Sequence, residues 1–186
     1  MSDFRKDGSL RRLTVCALFA ALICVLSPIA IPIGAIPLSL GFLGVLLCAV
    51  CLPPLMSLTA ALVYLAIGAC GLPVFSGALG GAQVLIGPTG GYLWSYPVVG
   101  LVVAVLCKAK AKASARRSFA KAFFACLIGV LICYLLGVVQ YVLVTETPIG
   151  AALAVCVLPF LPIDLGKALL AVALGKRLSP LLSRRL

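Results

Sequence analysis

Polar residues are confined to a few short segments of this chain, and the intervals between them are almost wholly apolar. The first interval predicts a helix over 13–31, since about 20 apolar residues cross a bilayer. Pro28, Pro32 and Pro37 end it in a short connection at 32–37. From Leu38 to Cys70 the chain is apolar throughout and too long for one crossing. Pro53-Pro54 divides it, because the residue before a proline is pushed out of the helical region. That predicts two helices, 38–52 and 55–70, joined by a tight turn. Both are short, so they cross tilted or where the bilayer thins. Three further intervals, 92–107, 119–145 and 151–175, complete an all-α integral membrane protein. The expectation is one domain, 1–186, built as a six-transmembrane-helix bundle.

Between the third and fourth helices, the stretch 71–91 breaks the pattern. It is too rich in glycine for a comfortable helix and too apolar for a solvated loop. Irregular backbone at membrane depth is tolerated where protein buries it or where it lines a cavity. Two readings follow: a packed structural loop, or a flap folded back over an outward-facing pocket. In the second, Gly90 and Gly91 let the backbone approach a ligand closely, and Gln83 is the most capable hydrogen-bonding side chain. Tyr92, Trp94 and Tyr96 open the next helix. They form an interfacial belt or stack on a ligand, Tyr92 before the others because it adjoins the glycine pair. Gln140 and Tyr141 lie near the outer end of the fifth helix, and Tyr141 joins the ligand-binding candidates.

Composition supports the membrane class: 64% of residues are hydrophobic and 10% charged, against roughly half and a quarter in soluble domains. The N-terminal segment carries no cleavage-site pattern before its apolar run, so the first helix is read as retained. A net charge of +11 raises nucleic acid as a partner, but its distribution argues otherwise. Apart from Lys167, the basic residues fall in three clusters: Arg5 to Arg12, Lys108 to Lys121, and Lys176 to Arg185. With six crossings all three lie on one side, and the opposite connections contain no Lys or Arg. By the positive-inside rule that side, with both termini, is cytoplasmic. The setting is the cell membrane and its lipid, with no nucleic acid.

The last apolar interval holds two charged residues, Asp164 and Lys167. A charge at the bilayer centre costs roughly 2.5–3.5 kcal/mol even on the mild insertion scale. Such residues persist when they neutralise each other, meet a ligand, or both. A spacing of three puts them on one helix face. Pro159 and Pro162 loosen or break the helix just upstream and free carbonyls that need partners.

Other chemistry is thin. The chain has no histidine, which removes His-based dyads and most zinc sites. An intramembrane aspartyl protease needs two carboxylates sharing a site, and Asp164 stands alone. Leu165-Gly166-Lys167 lacks the upstream glycine and the Ser or Thr of a phosphate-binding loop. No metal, cofactor or ATPase of the chain's own is expected, and no enzyme activity. Cys48 and Cys51 form a lone C-x-x-C with no second pair, read as two small residues near a helix end. In the first helix Ala17 and Ala21 form a small-residue face that lets helices approach in lipid, within the chain or against a partner.

Two segments together, Gly87-Pro-Thr-Gly-Gly-Tyr-Leu93 after Gly80-Gly81, and Pro159-Phe-Leu-Pro-Ile-Asp-Leu-Gly-Lys167, resemble the BioY family. These are the biotin-specific substrate-binding membrane subunits, or S components, of energy-coupling-factor (ECF) vitamin transporters. The resemblance spans nearly the whole chain. It implies a biotin pocket near the outer face and two kinds of partner, a transmembrane coupling protein and two ATP-binding cassette ATPase subunits on the cytoplasmic side. Docking through small residues of the first helix carries over to Ala17 and Ala21. Biotin offers two ureido N–H donors, a ureido carbonyl, an apolar thioether ring and a carboxylate. Asp164 suits the donors, Lys167 suits an oxygen, and Gln83 serves either end. The chain departs from the family at Ser95-Tyr96, where Gly-Phe is usual, and at Ser39-Leu40-Gly41, where Thr-Leu-Gln is usual. Ser39 remains a candidate ligand contact there, with an amide lost beside it. Competing readings are an S component for another vitamin, an ion-coupled carrier, or a structural membrane protein in which Asp164 and Lys167 form only an interhelical salt bridge.

Overall fold

The computed structural model describes residues 3–33, 36–108 and 115–183. In chain order it contains α1 (Asp3–Leu26), β1 (Ala30–Ile33), β2 (Ile36–Ser39), α2 (Gly41–Cys51), α3 (Pro54–Ala69), a 3-10 turn (Ser76–Ala78), α4 (Ala82–Ile86), α5 (Gly90–Lys108), α6 (Ala115–Thr145), α7 (Ile149–Cys156) and α8 (Leu161–Ser183). Positions 34–35 of the 32–37 connection, 109–114 of the linker, and Arg184 and Arg185 lie outside the described residues.

The bundle is built around α2. Nine of its eleven residues are buried, and a helix apolar on every side belongs inside a bundle. It packs against α1, α5 and α8, while α5 lies along both α3 and α6. Large apolar side chains such as Leu55, Leu131 and Leu143 stay exposed on the outside, which suits lipid rather than water. Gly90–Lys108 and Phe119–Thr145 are long and apolar enough to cross a membrane, and α7 with the following helix reaches that length as a pair bent by 48°.

Prolines set the breaks. Pro53 is extended (φ −54°, ψ 149°) and Pro54 opens α3, where a missing N–H has no helical partner to lose. The turn from α7 to α8 contains Pro159, and Pro162 falls in the first turn of α8. The break therefore creates a new helix N-terminus inside the bundle, with Asp164 in its first turn, where negative charge is favoured.

Several features differ from the expected pattern, among them the predicted helix 151–175, which is two helices, α7 and α8. α1 starts at Asp3 rather than 13, because Arg5, Lys6, Leu10, Arg11 and Arg12 ahead of the apolar run are good helix formers. It stops at Leu26 rather than 31, since Ser27 precedes Pro28. The 32–37 connection is a β-hairpin, with Ile31 opposite Leu38 and Pro32 opposite Pro37. Two prolines facing each other need no N–H only at a non-hydrogen-bonded pair, so the ladder loses no bond. Ile36 and Leu38 point into the core, and because β2 takes up Leu38 and Ser39, α2 begins at Gly41 rather than 38.

The stretch 71–91 is short pieces of structure. After the 3-10 turn, Gly81 takes φ +98° to open α4, a backbone conformation that L side chains rarely adopt. α5 then starts at Gly90 and α6 crosses it closely. A methyl group at Gly91 would run into the Leu136 carbonyl and the Gln140 Cβ, and one at Gly137 into the Tyr92 ring.

Candidate ligand-binding site

Asp164 and Lys167 sit one turn apart at the start of α8, each only 6% exposed. Lys167 Nζ donates to Asp164 Oδ1 at 2.9 Å. Neither bears the pair alone. Tyr134 of α6 donates its hydroxyl to Asp164 Oδ2 at 2.7 Å. Lys167 donates a second bond, 2.7 Å long, to the carbonyl of Ser39 at the end of β2. A buried pair needs such supplementary bonds to offset its desolvation. An ammonium has three N–H bonds and a carboxylate about four lone-pair sites, so both groups keep capacity for a ligand.

Ser39 is fixed from behind. Its hydroxyl donates to the Ser27 carbonyl at 2.7 Å and accepts the Gly41 N–H at 2.9 Å. Ser27 and Tyr64, both fully buried, share a hydrogen bond of 2.6 Å. The end of α1, the hairpin, α2 and α3 thus converge behind the carbonyl that holds Lys167. Tyr64 in turn stacks on Tyr96 of α5 at 5.9 Å between ring centres.

The pair opens into a cavity of about 300 Å³. Its walls are apolar and aromatic, including Phe42, Tyr96 and Phe160, and its polar groups are few. That is the usual make-up of a small-molecule pocket. Tyr92 lines it as well, with its hydroxyl donating to the Cys156 carbonyl at 3.1 Å. That carbonyl is one of those left over where α7 ends. Ser76, Leu79, Val84, Pro88 and Thr89 bring the 71–91 stretch to the same cavity.

Of the candidates read from the sequence, Asp164, Lys167, Tyr92 and Ser39 share this cavity. The others lie elsewhere. Gln83 is exposed, and its amide turns back to donate to the Gly80 carbonyl at 2.9 Å. Gly90 and Gly91 are buried where α5 meets α4 and α6; a methyl group at Gly90 would run into the Leu85 carbonyl. Their lack of a side chain therefore serves helix contact. Tyr141 is buried and does not line the cavity. Ala17 and Ala21 are exposed on α1, whereas Cys16, Ala20 and Ile23 face the bundle. Cys48 and Cys51 are buried in α2 away from the cavity lining. Tyr96 entered the sequence reading as one of the three aromatics that open the fourth helix, and it lines the cavity. Tyr134 and Phe42 escaped that reading. Only Tyr134 had a usable signal, a hydroxyl in mid-helix that needs a buried partner.

A helical membrane bundle enclosing a mostly apolar cavity with one charge pair defines a membrane-embedded solute-binding protein. More narrowly, the chain belongs to the BioY family, whose model matches residues 2–184. It is 37% identical over 179 residues to the biotin transporter BioY2 of Lactococcus lactis subsp. cremoris (strain MG1363), covering 96% of this chain and 95% of that one. With the biotin transporter BioY of Thermotoga maritima the identity is 37% over 172 residues, covering 92% and 98%. Among solved structures, the fold matches the S-component for biotin from an ECF-type ABC transporter. The TM-score is 0.84 at 28% identity, covering 96% and 94% of the two chains.

Proposed function

We propose that this chain captures biotin from outside the cell and carries it across the cell membrane as the S component of an ECF-type transporter. The family membership and the matched biotin S-component support that reading. One observation carries it to the residues: a buried Asp164–Lys167 pair, already assembled and still short of its full set of hydrogen bonds, inside an apolar cavity. Asp164 accepts from ureido N–H groups and Lys167 donates to an oxygen of the vitamin. Tyr92 and the aromatic walls take the ring and aliphatic chain, with Ser39 holding Lys167 in place. Because Tyr134 and the Ser39 carbonyl hold the pair, little ordering is left for the ligand to impose, and preorganisation of this kind raises affinity.

The finer architecture belongs to the same proposal. The chain forms one membrane domain of six crossings, with both termini cytoplasmic and the 71–91 stretch capping an outward-facing pocket. A transmembrane coupling protein docks on the small-residue face of α1 at Ala17 and Ala21, and two ATP-binding cassette subunits hydrolyse ATP. The chain itself is a transport subunit and not an enzyme. Equilibrium binding of a vitamin panel to the purified protein tests the reading. Biotin is expected to bind at least about a hundredfold more tightly than any other vitamin, a difference of roughly 2.7 kcal/mol. Tighter binding of another vitamin, or of none, contradicts it. Uptake that follows a proton gradient instead of ATP contradicts the ECF assignment.

A further inference from the structure

Gln140 is a half-buried amide on α6, and it is bonded to a segment far away in sequence. Its Nε2 donates to the carbonyls of Leu85 and Gly87, both at 2.8 Å. Those carbonyls lie at the end of α4, a helix of five residues that is too short to hold itself together. A helix C-terminus leaves its last carbonyls without intrahelical partners. Here a second donor also converges, since the Trp94 indole N–H reaches the Leu85 carbonyl at 3.1 Å. α4 is thus tied to α6 by one side chain and to α5 by another. The tied segment supplies Val84, Pro88 and Thr89 to the cavity that contains Asp164 and Lys167.

We infer that Gln140 is a positioning residue for ligand retention: it holds the 82–89 segment in place as a wall of the binding cavity, with Trp94 as the second tether. It touches no ligand. Its contribution is to the rate at which bound ligand escapes, because a wall released from α6 opens more often. This rests on the biotin reading for the identity of the ligand, but the tether is a separate claim.

The experiment uses the full chain in lipid nanodiscs and compares wild type with Gln140→Leu, which removes both donors at similar volume. Biotin association and dissociation rates are measured, together with hydrogen exchange of the 82–89 amides without ligand. Gln140→Leu is expected to speed biotin release about tenfold, while association changes less than about threefold. Exchange is expected to rise in 82–89 and not in the core of α2. Should that variant fail to fold, Trp94→Phe removes the other donor from the same carbonyl and is expected to give a smaller effect of the same kind. Unchanged release, or faster exchange spread evenly over the bundle, overturns the positioning role. If wild type binds no biotin at all, the biotin reading fails instead, whereas normal wild-type binding with an unaffected variant sinks the tether alone.

Discussion

At Asp164 the two carboxylate oxygens have different tasks, Oδ1 facing Lys167 and Oδ2 facing Tyr134. Asp164→Asn keeps the shape but removes the charge, leaving a buried ammonium without its counter-ion. Charge-assisted hydrogen bonds are worth roughly 1.5–3 kcal/mol, so biotin affinity is expected to fall about tenfold to a hundredfold. Tyr134→Phe deletes one donor and leaves the charge pair in place, and should weaken binding by roughly fivefold to tenfold. Titration calorimetry checks both, and wild-type affinity in Asp164→Asn removes that residue from the site. The pair was legible in the sequence because two charges in a long apolar run are exceptional. Its partners were not. Tyr134 lies 30 positions from Asp164 and Ser39 lies 128 from Lys167, and no local pattern encodes a contact at that separation. Gln83 misled for a related reason, because a side chain's chemical capacity says nothing about which way its helix turns it.

Among the elements, the proline breaks were readable, since a missing N–H and a fixed φ act on the local backbone. Pro53-Pro54 and the Pro159–Pro162 turn both behave so. The hairpin was hidden by the same residues, because prolines in a short connection suggest a loop, and their harmless placement opposite each other depends on register. The glycines at 90 and 91 were read as room for a ligand, and the room is used by α4 and α6. That close approach also puts Gly137 against the ring of Tyr92. Gly137→Ala is therefore expected to overpack the α5–α6 contact by about 1–3 kcal/mol. Thermal unfolding should then occur several degrees lower, at roughly 2–4 °C per kcal/mol for a chain of this size. An unchanged unfolding temperature would show that the helices separate there without strain.

For the whole molecule, membrane character was plain from the apolar intervals, because no soluble fold of this size leaves so few polar residues to face water. Orientation rests on the basic clusters alone, a charge effect that acts during insertion and leaves no mark on packing. It has a direct consequence for Cys70. This thiol is exposed at the end of α3, on the side proposed to face outward, while the other cysteines are buried or half-buried. A membrane-impermeant maleimide added to intact cells is expected to label the protein, and Cys70→Ser should abolish that labelling. Labelling that appears only after the cells are permeabilised reverses the orientation. The arrangement of charge and cavity has meaning as a transport subunit only if the vitamin enters beside α8. A crystal structure of the purified protein with biotin bound measures that directly. An Asp164 carboxylate oxygen and Lys167 Nζ are predicted to lie within about 3.2 Å of polar atoms of the vitamin. A complex in which both side chains point away from biotin, with their mutual bond intact, contradicts the account.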